Sequence, residues 1–329
     1  LGRRGALATV FDALKNLPPD ERKQAGEEAN ALRREIEQAL AEKKLALEQT
    51  GKESVLKKEW LDVTRPGIRQ ERGHLHPLTQ ITRDIVAIFS SMGFAVAEGP
   101  EAETEYYNFD ALNIPADHPA RDMWDTFWIK DPESEVKTQN TKRKNERLLL
   151  RTHTSPVQIR YMEVYQPPIR IIVPGRVYRY EATDASHDIQ FMQVEGLMAD
   201  KNVSVANFKA VIQTFLSRLF HANIDIRLRP SYFPFTEPSF EVDISCTYCR
   251  QKGCSICKQS GWLELMGAGM VHPRVFKAAG WNPKMREMID NHFTGFAFGV
   301  GIDRLALMKY KIPDIRLFRS GDLRFLKQF

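Results

Sequence analysis

Gly175 to Glu195 reads GRVYRYEATDASHDIQFMQVE, and the spacing of its polar residues decides how the whole chain is read. Ile171 to Glu181 has the pattern of a strand, Thr183-Asp184-Ala185-Ser186 supplies a turn, and Gln190 to Leu197 is the antiparallel return. Side chains alternate along a strand, so Phe191, Gln193 and Glu195 share one face. A ring, an amide and a carboxylate side by side make a pocket floor, since on a purely structural face each polar group would cost about 1–3 kcal/mol unpaired. On the opposing strand Tyr178-Arg179-Tyr180-Glu181 adds a guanidinium and a carboxylate, and His187 sits in the loop between. A plain β-hairpin can produce so loose a pattern by chance, so the neighbouring stretches must decide.

The 329 residues suffice for one large core of about 250 residues plus an appendage. With 43% hydrophobic and 27% charged residues, the composition is that of an ordinary soluble globular protein. The net charge of +5 permits an anionic partner such as RNA without demanding one. No apolar run approaches the roughly 18 residues that span a bilayer, and no signal sequence precedes the first helical segment. The expectation is a cytoplasmic protein with no membrane association. The first residue is Leu rather than Met, which we read as a chain shortened at its natural start.

All four cysteines lie together as Cys246-x2-Cys249-x4-Cys254-x2-Cys257, in a hairpin between two strands. Paired C-x2-C elements fit tetrahedral thiolate coordination with zinc as the default metal, and the short central gap leaves reduced free thiols as the alternative. Lacking a histidine and an open ligand position, such a site is structural rather than catalytic.

At the start of the chain, Leu7, Val10, Phe11, Leu14 and Leu17 recur at helical spacing until Pro18-Pro19-Asp20 breaks the run. A second helix carries Ala25, Ala29, Leu32, Ile36, Ala39 and Leu40 along a narrow seam, so residues 1–58 read as an antiparallel coiled-coil hairpin. Residues 59–75, with Pro66-Gly67 and Arg65, Arg69 and Arg72, read as a linker, and 76–329 as one domain with the four-cysteine insert at 246–257.

Within that domain Pro77 opens a helix with Ile81, Ile85, Ile88, Phe89 and Met92 on one face, and Gly93 closes it. Residues 108–128, Trp124 among them, are too irregular for one helix or strand and too aromatic for a disordered loop. A charged stretch from Asp131 to Asn145 reads as a hairpin tip. The strand Arg147 to Leu150 then leads into Arg151-Thr152-His153-Thr154-Ser155, groups suited either to orienting an amino acid or to capping a turn. After an amphipathic helix from Val205 to His221, Phe233 and Phe235 straddle Pro234 and are expected to point the same way, as slot walls or as core. Glu237, Glu241 and Asp243 are expected on one strand face, where hard oxygen ligands suit ATP-bound magnesium. Finally, Gly295-Phe296-Ala297-Phe298-Gly299-Val300-Gly301-Ile302-Asp303-Arg304 is a strand entering a helix, with Arg304 in the first turn.

Three of these stretches, in this order, resemble the signature motifs of the class II aminoacyl-tRNA synthetases. Gly93 to Glu103, ending near Pro100, is similar to motif 1; Tyr178, Arg179, Glu181, His187, Phe191 and Glu195 to motif 2; Gly299 to Arg304 to motif 3, with Asp303 where many members carry Glu. GRVYR, RPSYFPFTEPS, GAGMVHP, GFAFG and the terminal DLRFLKQF look like the bacterial phenylalanyl-tRNA synthetase alpha subunits over essentially the whole chain.

The resemblance implies an α+β fold, an antiparallel sheet flanked by helices, and the N-terminal hairpin fits the family's coiled coil; its nearly balanced charges read by default as a solvated face, with a tRNA-contacting arm as the sharper alternative. It implies ATP-dependent ligation of L-phenylalanine to tRNA(Phe) through an adenylate, in an (αβ)2 enzyme with a beta subunit. ATP binding falls to Arg179, Glu181, His187, Phe191 and Arg304, with Arg179 catalytic and Glu237 on magnesium. Phenylalanine falls to Trp124, His153, Ser155, Gln193, Glu195, Phe233, Phe235 and Ala297. An apolar slot rejects an added hydroxyl by only about 10²-fold, so tyrosine would need editing, which we expect on the beta chain. Two rivals are a phosphoseryl-tRNA synthetase, which would need a basic side-chain pocket, and a silent paralogue, which would lack Arg179 or Arg304.

Overall fold

A computed structural model of the protein describes residues 5–58, 62, 64–67, 73–117, 121, 126–130, 147–281 and 293–329, for 52–58 the backbone alone. Trp124, Arg69 and Arg72 of the expected linker, and the charged stretch Asp131 to Asn145 lie outside the described residues. Two compact units divide the chain, residues 1–72 and 73–329.

In the first unit, α1 (Ala6–Ala13) runs through a 3-10 turn, Leu14–Asn16, towards α2 (Pro19–Lys58). Pro19 suits the first helical position because the N–H it lacks has no partner there anyway. Arg22 Nη2 donates to the carbonyls of Lys15 and Leu17, both at 2.9 Å, and ties the turn together. The expected seam is buried only at its start: Ala29 is covered, whereas Leu32 and Leu40 are 49% and 59% exposed. The reason is length, since α1 reaches about 12 Å against about 60 Å for α2.

The second unit is built on a seven-stranded sheet of order β1-β4-β5-β9-β8-β7-β6. Its strands are β1 (Ala95–Val96), β4 (Ile169–Tyr178), β5 (Gln190–Lys201), β6 (Ile226–Phe233), β7 (Thr236–Ser245), β8 (Trp262–Val271) and β9 (Phe293–Gly301). Only β1 and β4 pair parallel. A separate ribbon joins β2 (Ala102–Thr104) to β3 (Leu148–Leu150).

The two faces of the sheet divide its work. On one face lie α3 (Pro77–Ser91) and, further along the chain, the helices Val205–Phe220 and Ile302–Tyr310. Phe89, Phe208, Phe215 and Leu305 pack there against Val194, Phe296, Phe298 and Val300. Between them in the chain come α4 (Glu105–Asn108) and α5 (Ser155–Val164), so Val205–Phe220 is α6, Pro273–Ala278 is α7 and Ile302–Tyr310 is α8. A second cluster, with Leu112, Ile159, Met162, Ile171, Val173, Leu197 and Phe276, covers the other face only in part. Because strands have period two, the odd positions 193, 195, 297 and 299 point to that face, where the cover is incomplete.

Two expectations are corrected. Phe233 and Phe235 do not share a strand: Phe233 ends β6, Phe235 lies in the turn before β7, and their rings stack across it at 5.9 Å and 10°. Glu241 and Asp243 share a face, where Arg229 meets them at 2.9 and 2.8 Å, but Glu237 does not join them, because a register shift at Thr236/Ser239 breaks the alternation of β7. Asp243 is buried and held by Arg227 and Arg229 at 2.7 and 2.8 Å, whereas the Glu237 side chain is 74% exposed.

Candidate active site

The gap in the second face is a cavity of about 380 Å³ lined from β5, β7, β8 and β9, the start of α5 and the β6–β7 turn. At its centre is Glu195, placed by the register opposite Gly299. A Cβ at position 299 would stand 2.9 Å from Gln193 Nε2 and 3.1 Å from Glu195 Cγ, so glycine leaves room for two polar side chains over one strand. Glu195 accepts from the Thr154 amide at 3.1 Å, from Gln158 Nε2 at 3.0 Å, and from the Ser155 hydroxyl. Burial pushes its carboxyl up to about 7, against these hydrogen bonds and the positive charges of Arg179 and Arg151. His153, also buried, is driven down to about 3 by burial and then by Arg179, and is therefore neutral. Gln193 Oε1 is buried with no partner among the described residues.

Arg179 enters from the end of β4. Its Nε donates to the Thr152 carbonyl at 3.1 Å and its guanidinium stands 5.2 Å from the centre of the Phe191 ring. Burial pushes its pKa down, against the charges of Glu181 and Glu195, and no carboxylate forms an ion pair with it among the described residues. A guanidinium stays charged in a protein, so a part-buried one with no carboxylate in direct contact is suited to receive an anion.

The cavity also has an apolar lining, together with the carboxylates of Glu241 and Glu264. Phe233 and Phe235 form one wall; a Cβ at Gly267 would meet Phe233 Cζ at 2.8 Å, so glycine lets that ring lie on β8. Leu112, Val271, Val275 and Ala297 complete the apolar lining with side chains that carry no polar atom. The slot has the size and chemistry for a benzyl group, with a carboxylate beside its mouth.

Nine of the expected residues thus line one cavity: His153, Ser155, Arg179, Phe191, Gln193, Glu195, Phe233, Phe235 and Ala297. Four do not. Arg304 lies in the first turn of α8, exposed and three residues past the cavity-lining Gly301. The preceding residue, Asp303, is buried and its Oδ2 accepts the Met192 amide at 2.6 Å, which hooks the helix start beside Phe191. Glu181 is exposed, its amide turned back onto the Arg179 carbonyl at 3.0 Å. His187 is exposed, with Nδ1 3.1 Å from the Asp184 carboxylate. Glu237 stands outside the cavity wall, 3.2 Å from His272 Nε2. His272 Nδ1 accepts the Arg274 amide at 3.1 Å, which leaves Nε2 facing the Glu237 carboxylate.

Sequence reasoning missed Gln158 and His272. Gln158 is one helical turn beyond Ser155, and that i, i+3 spacing was the available signal. His272 has no local signal, because the partner that gives it a role is far along the chain.

The four cysteine sulfurs lie within 4.8 Å of one another, with 3.9 Å from Cys246 to Cys254, 3.8 Å from Cys249 to Cys257 and 3.6 Å from Cys254 to Cys257. The amides of Cys254 and Gly261 point at the Cys257 sulfur at 3.2 and 3.3 Å.

A family described as "tRNA synthetases class II core domain (F)" matches residues 60–329, and "Aminoacyl tRNA synthetase class II, N-terminal domain" matches 1–56. The phenylalanine–tRNA ligase alpha subunit of Caldicellulosiruptor saccharolyticus is 50% identical over 329 residues, all of this chain and 90% of that protein. Those of Desulfotalea psychrophila and Myxococcus xanthus are 48% and 49% identical, over all of this chain and 90% and 91% of theirs. With the fold, the cavity and these relatives in agreement, the chain belongs to the phenylalanyl-tRNA synthetase alpha subunits of the class II aminoacyl-tRNA synthetases.

Proposed function

We infer that this chain is the catalytic alpha subunit of a phenylalanine–tRNA ligase. In the first step a carboxylate oxygen of phenylalanine attacks the α-phosphorus of ATP and pyrophosphate leaves. In the second a ribose hydroxyl of the terminal adenosine of tRNA(Phe) takes the acyl group and AMP leaves. Neither step needs a protein nucleophile, so positioning and charge stabilisation carry the catalysis.

The observation that carries this reading is a single cavity lined both by the Arg179 guanidinium, which has no ion pair among the described residues, and by the apolar side chains of Phe233, Phe235, Leu112, Val271 and Ala297. Arg179 bridges the α-phosphate and the substrate carboxylate through its planar fork. Phe191 and Arg304 hold the adenine between a ring and a cation. His187 and Glu181 approach the ATP from the loop. Glu195 receives the ammonium group, with His153, Ser155 and Gln193 around it; Phe233, Phe235 and Ala297 enclose the ring, with Trp124 close by. Glu237 would hold magnesium, which neutralises phosphate charge when bound; an exposed carboxylate oriented by His272 suits a hard cation.

The assembly is an (αβ)2 tetramer in the cytoplasm, with tyrosine editing on the beta subunit. Among the described residues no helix is long and apolar enough to cross a membrane. Pyrophosphate exchange with each amino acid, with and without the beta chain, tests the assignment: phenylalanine should dominate. Absence of phenylalanine-dependent exchange in the complete enzyme would overturn it.

The cysteines would hold a structural zinc. Tetrahedral coordination at 2.3 Å puts sulfurs about 3.8 Å apart, close to the spacings here. After each C-x2-C pair two non-glycine residues, Arg250-Gln251 and Lys258-Gln259, adopt positive φ, at a cost on the order of 1 kcal/mol or more each that metal binding offsets. Metal analysis should find one zinc per chain, lost in Cys254→Ser; a metal-free chain of unchanged Tm would sink this reading.

A further inference from the structure

Arg319 ends a 3-10 helix, Ile315–Arg319, that follows α8. Its Nη1 donates to Asp188 Oδ2 at 2.8 Å, and its Nη2 to Asp303 Oδ1 at 3.3 Å. One guanidinium therefore spans the end of the 181–188 loop and the first turn of the helix that bears Arg304. The other oxygens of the two carboxylates are also taken: Asp188 Oδ1 accepts the Ile189 amide at 2.7 Å, and Asp303 Oδ2 the Met192 amide at 2.6 Å. Both acids are thereby fixed in rotation. The segment that carries Arg319 is itself anchored, since Ile315 and Phe318 are buried and the Ile315 amide donates to the Ala185 carbonyl at 3.0 Å.

We propose that Arg319 is a positioning residue for nucleotide binding: by joining Asp188 to Asp303 it sets the gap between Phe191 and Arg304 in which the adenine ring sits. The proposal rests on the assignment of that gap to ATP made above. Arg319 touches no substrate. Its effect passes through the loop end, which fixes the start of β5, and through Asp303, which fixes the start of α8. The fork geometry matters, because a single ammonium cannot meet two carboxylates on separate elements in the same way.

The test uses the complete alpha–beta enzyme in ATP–pyrophosphate exchange, comparing wild type with Arg319→Met, Arg319→Lys and Asp188→Asn. Phenylalanine-dependent exchange in wild type shows that the underlying assignment stands before any variant is read. Arg319→Met should raise KM for ATP by about tenfold, the order expected when a binding group is displaced by a fraction of an ångström, with KM for phenylalanine within about twofold of wild type. Arg319→Lys should recover part of that loss. Asp188→Asn leaves the buried Asp303 paired, so it keeps the test open if Arg319→Met folds poorly; it should raise KM for ATP by a smaller factor, and the double variant should be no worse than Arg319→Met alone. An unchanged KM for ATP in Asp188→Asn and Arg319→Lys, or KM values for ATP and phenylalanine that rise together in proportion, would overturn the proposal.

Discussion

At the amino-acid end of the cavity the polar groups are organised before any substrate arrives. Glu195 already accepts three hydrogen bonds, and the slot behind it is closed by side chains in the core. At the nucleotide end Arg304, His187 and Glu181 are exposed, and Asp184 rather than a substrate occupies His187. On the proposed assignment, phenylalanine is small and of one shape, so a rigid slot would select it at little entropic cost, whereas ATP is long and charged and its site would be completed by groups drawn in around it. Arg179 stands where the two halves meet, and the largest effect belongs there. Arg179→Gln should cut kcat/KM for exchange by about 10³-fold, as expected when a preorganised donor to transition-state charge is lost from a dry site. Exchange kinetics for both substrates would check this, and a loss confined to KM for phenylalanine would separate the halves that Arg179 is said to join.

The next test falls on the slot alone. Ala297→Phe adds a ring where Leu112, Val271 and Val275 leave no free depth, so phenylalanine activation should fall by about 10²-fold while ATP binding persists. Equilibrium binding of ATP to the variant is the control. Equal loss of both ligands would mean that the two halves are not independent.

Glu195 offers a pH test of the same half. Its carboxyl is held at about 7 by burial, above the usual 4.5, so the folded chain binds the proton more tightly than the unfolded one. Stability from this group is therefore greatest at low pH and declines as pH rises from about 4.5 through 7, where a buried carboxylate must form. The substrate's ammonium favours that carboxylate, so phenylalanine binding near pH 7 should release a proton, measurable by calorimetry in buffers of different ionisation enthalpy. Below about pH 7, kcat/KM for phenylalanine should drop by about tenfold per unit. Glu195→Gln should flatten both the stability slope and the activity slope, and an unchanged slope in either would assign it to another group.

The same contrast governs what could be read from the sequence. Phe191, Gln193 and Glu195 were legible because they lie on a regular strand, where a period of two fixes the face, whereas Ala297 was named only through the family resemblance. The hairpin around them was legible too, although its first strand stops at Tyr178, because the Glu181 amide folds back onto the Arg179 carbonyl. Glu237 misled because a register shift at Thr236/Ser239 separates it from Glu241 and Asp243, and a bulge leaves little trace in local pattern. Phe233 and Phe235 came together for a different reason from the one expected, a turn rather than a shared strand. The exposed groups at the nucleotide end could be named only through the family's motifs, since nothing in their own neighbourhood distinguishes a waiting ligand from a solvated side chain.

His187 carries the smallest expected effect, and it bears hardest on the comparison. Its side chain is 57% exposed and paired with Asp184, whose carboxyl is held down to about 2 first by the Ser186 amide and then by His187 itself. A contact in that setting is screened by water and salt, so His187→Ala should cost no more than about fivefold in KM for ATP. The loss should shrink further as salt rises, which exchange assays at low and high ionic strength would detect. A 10²-fold loss that is indifferent to salt would mean that the loop closes over ATP into a dry pocket. The nucleotide end would then be as enclosed in the working enzyme as the phenylalanine slot, and the two halves would not differ in that respect.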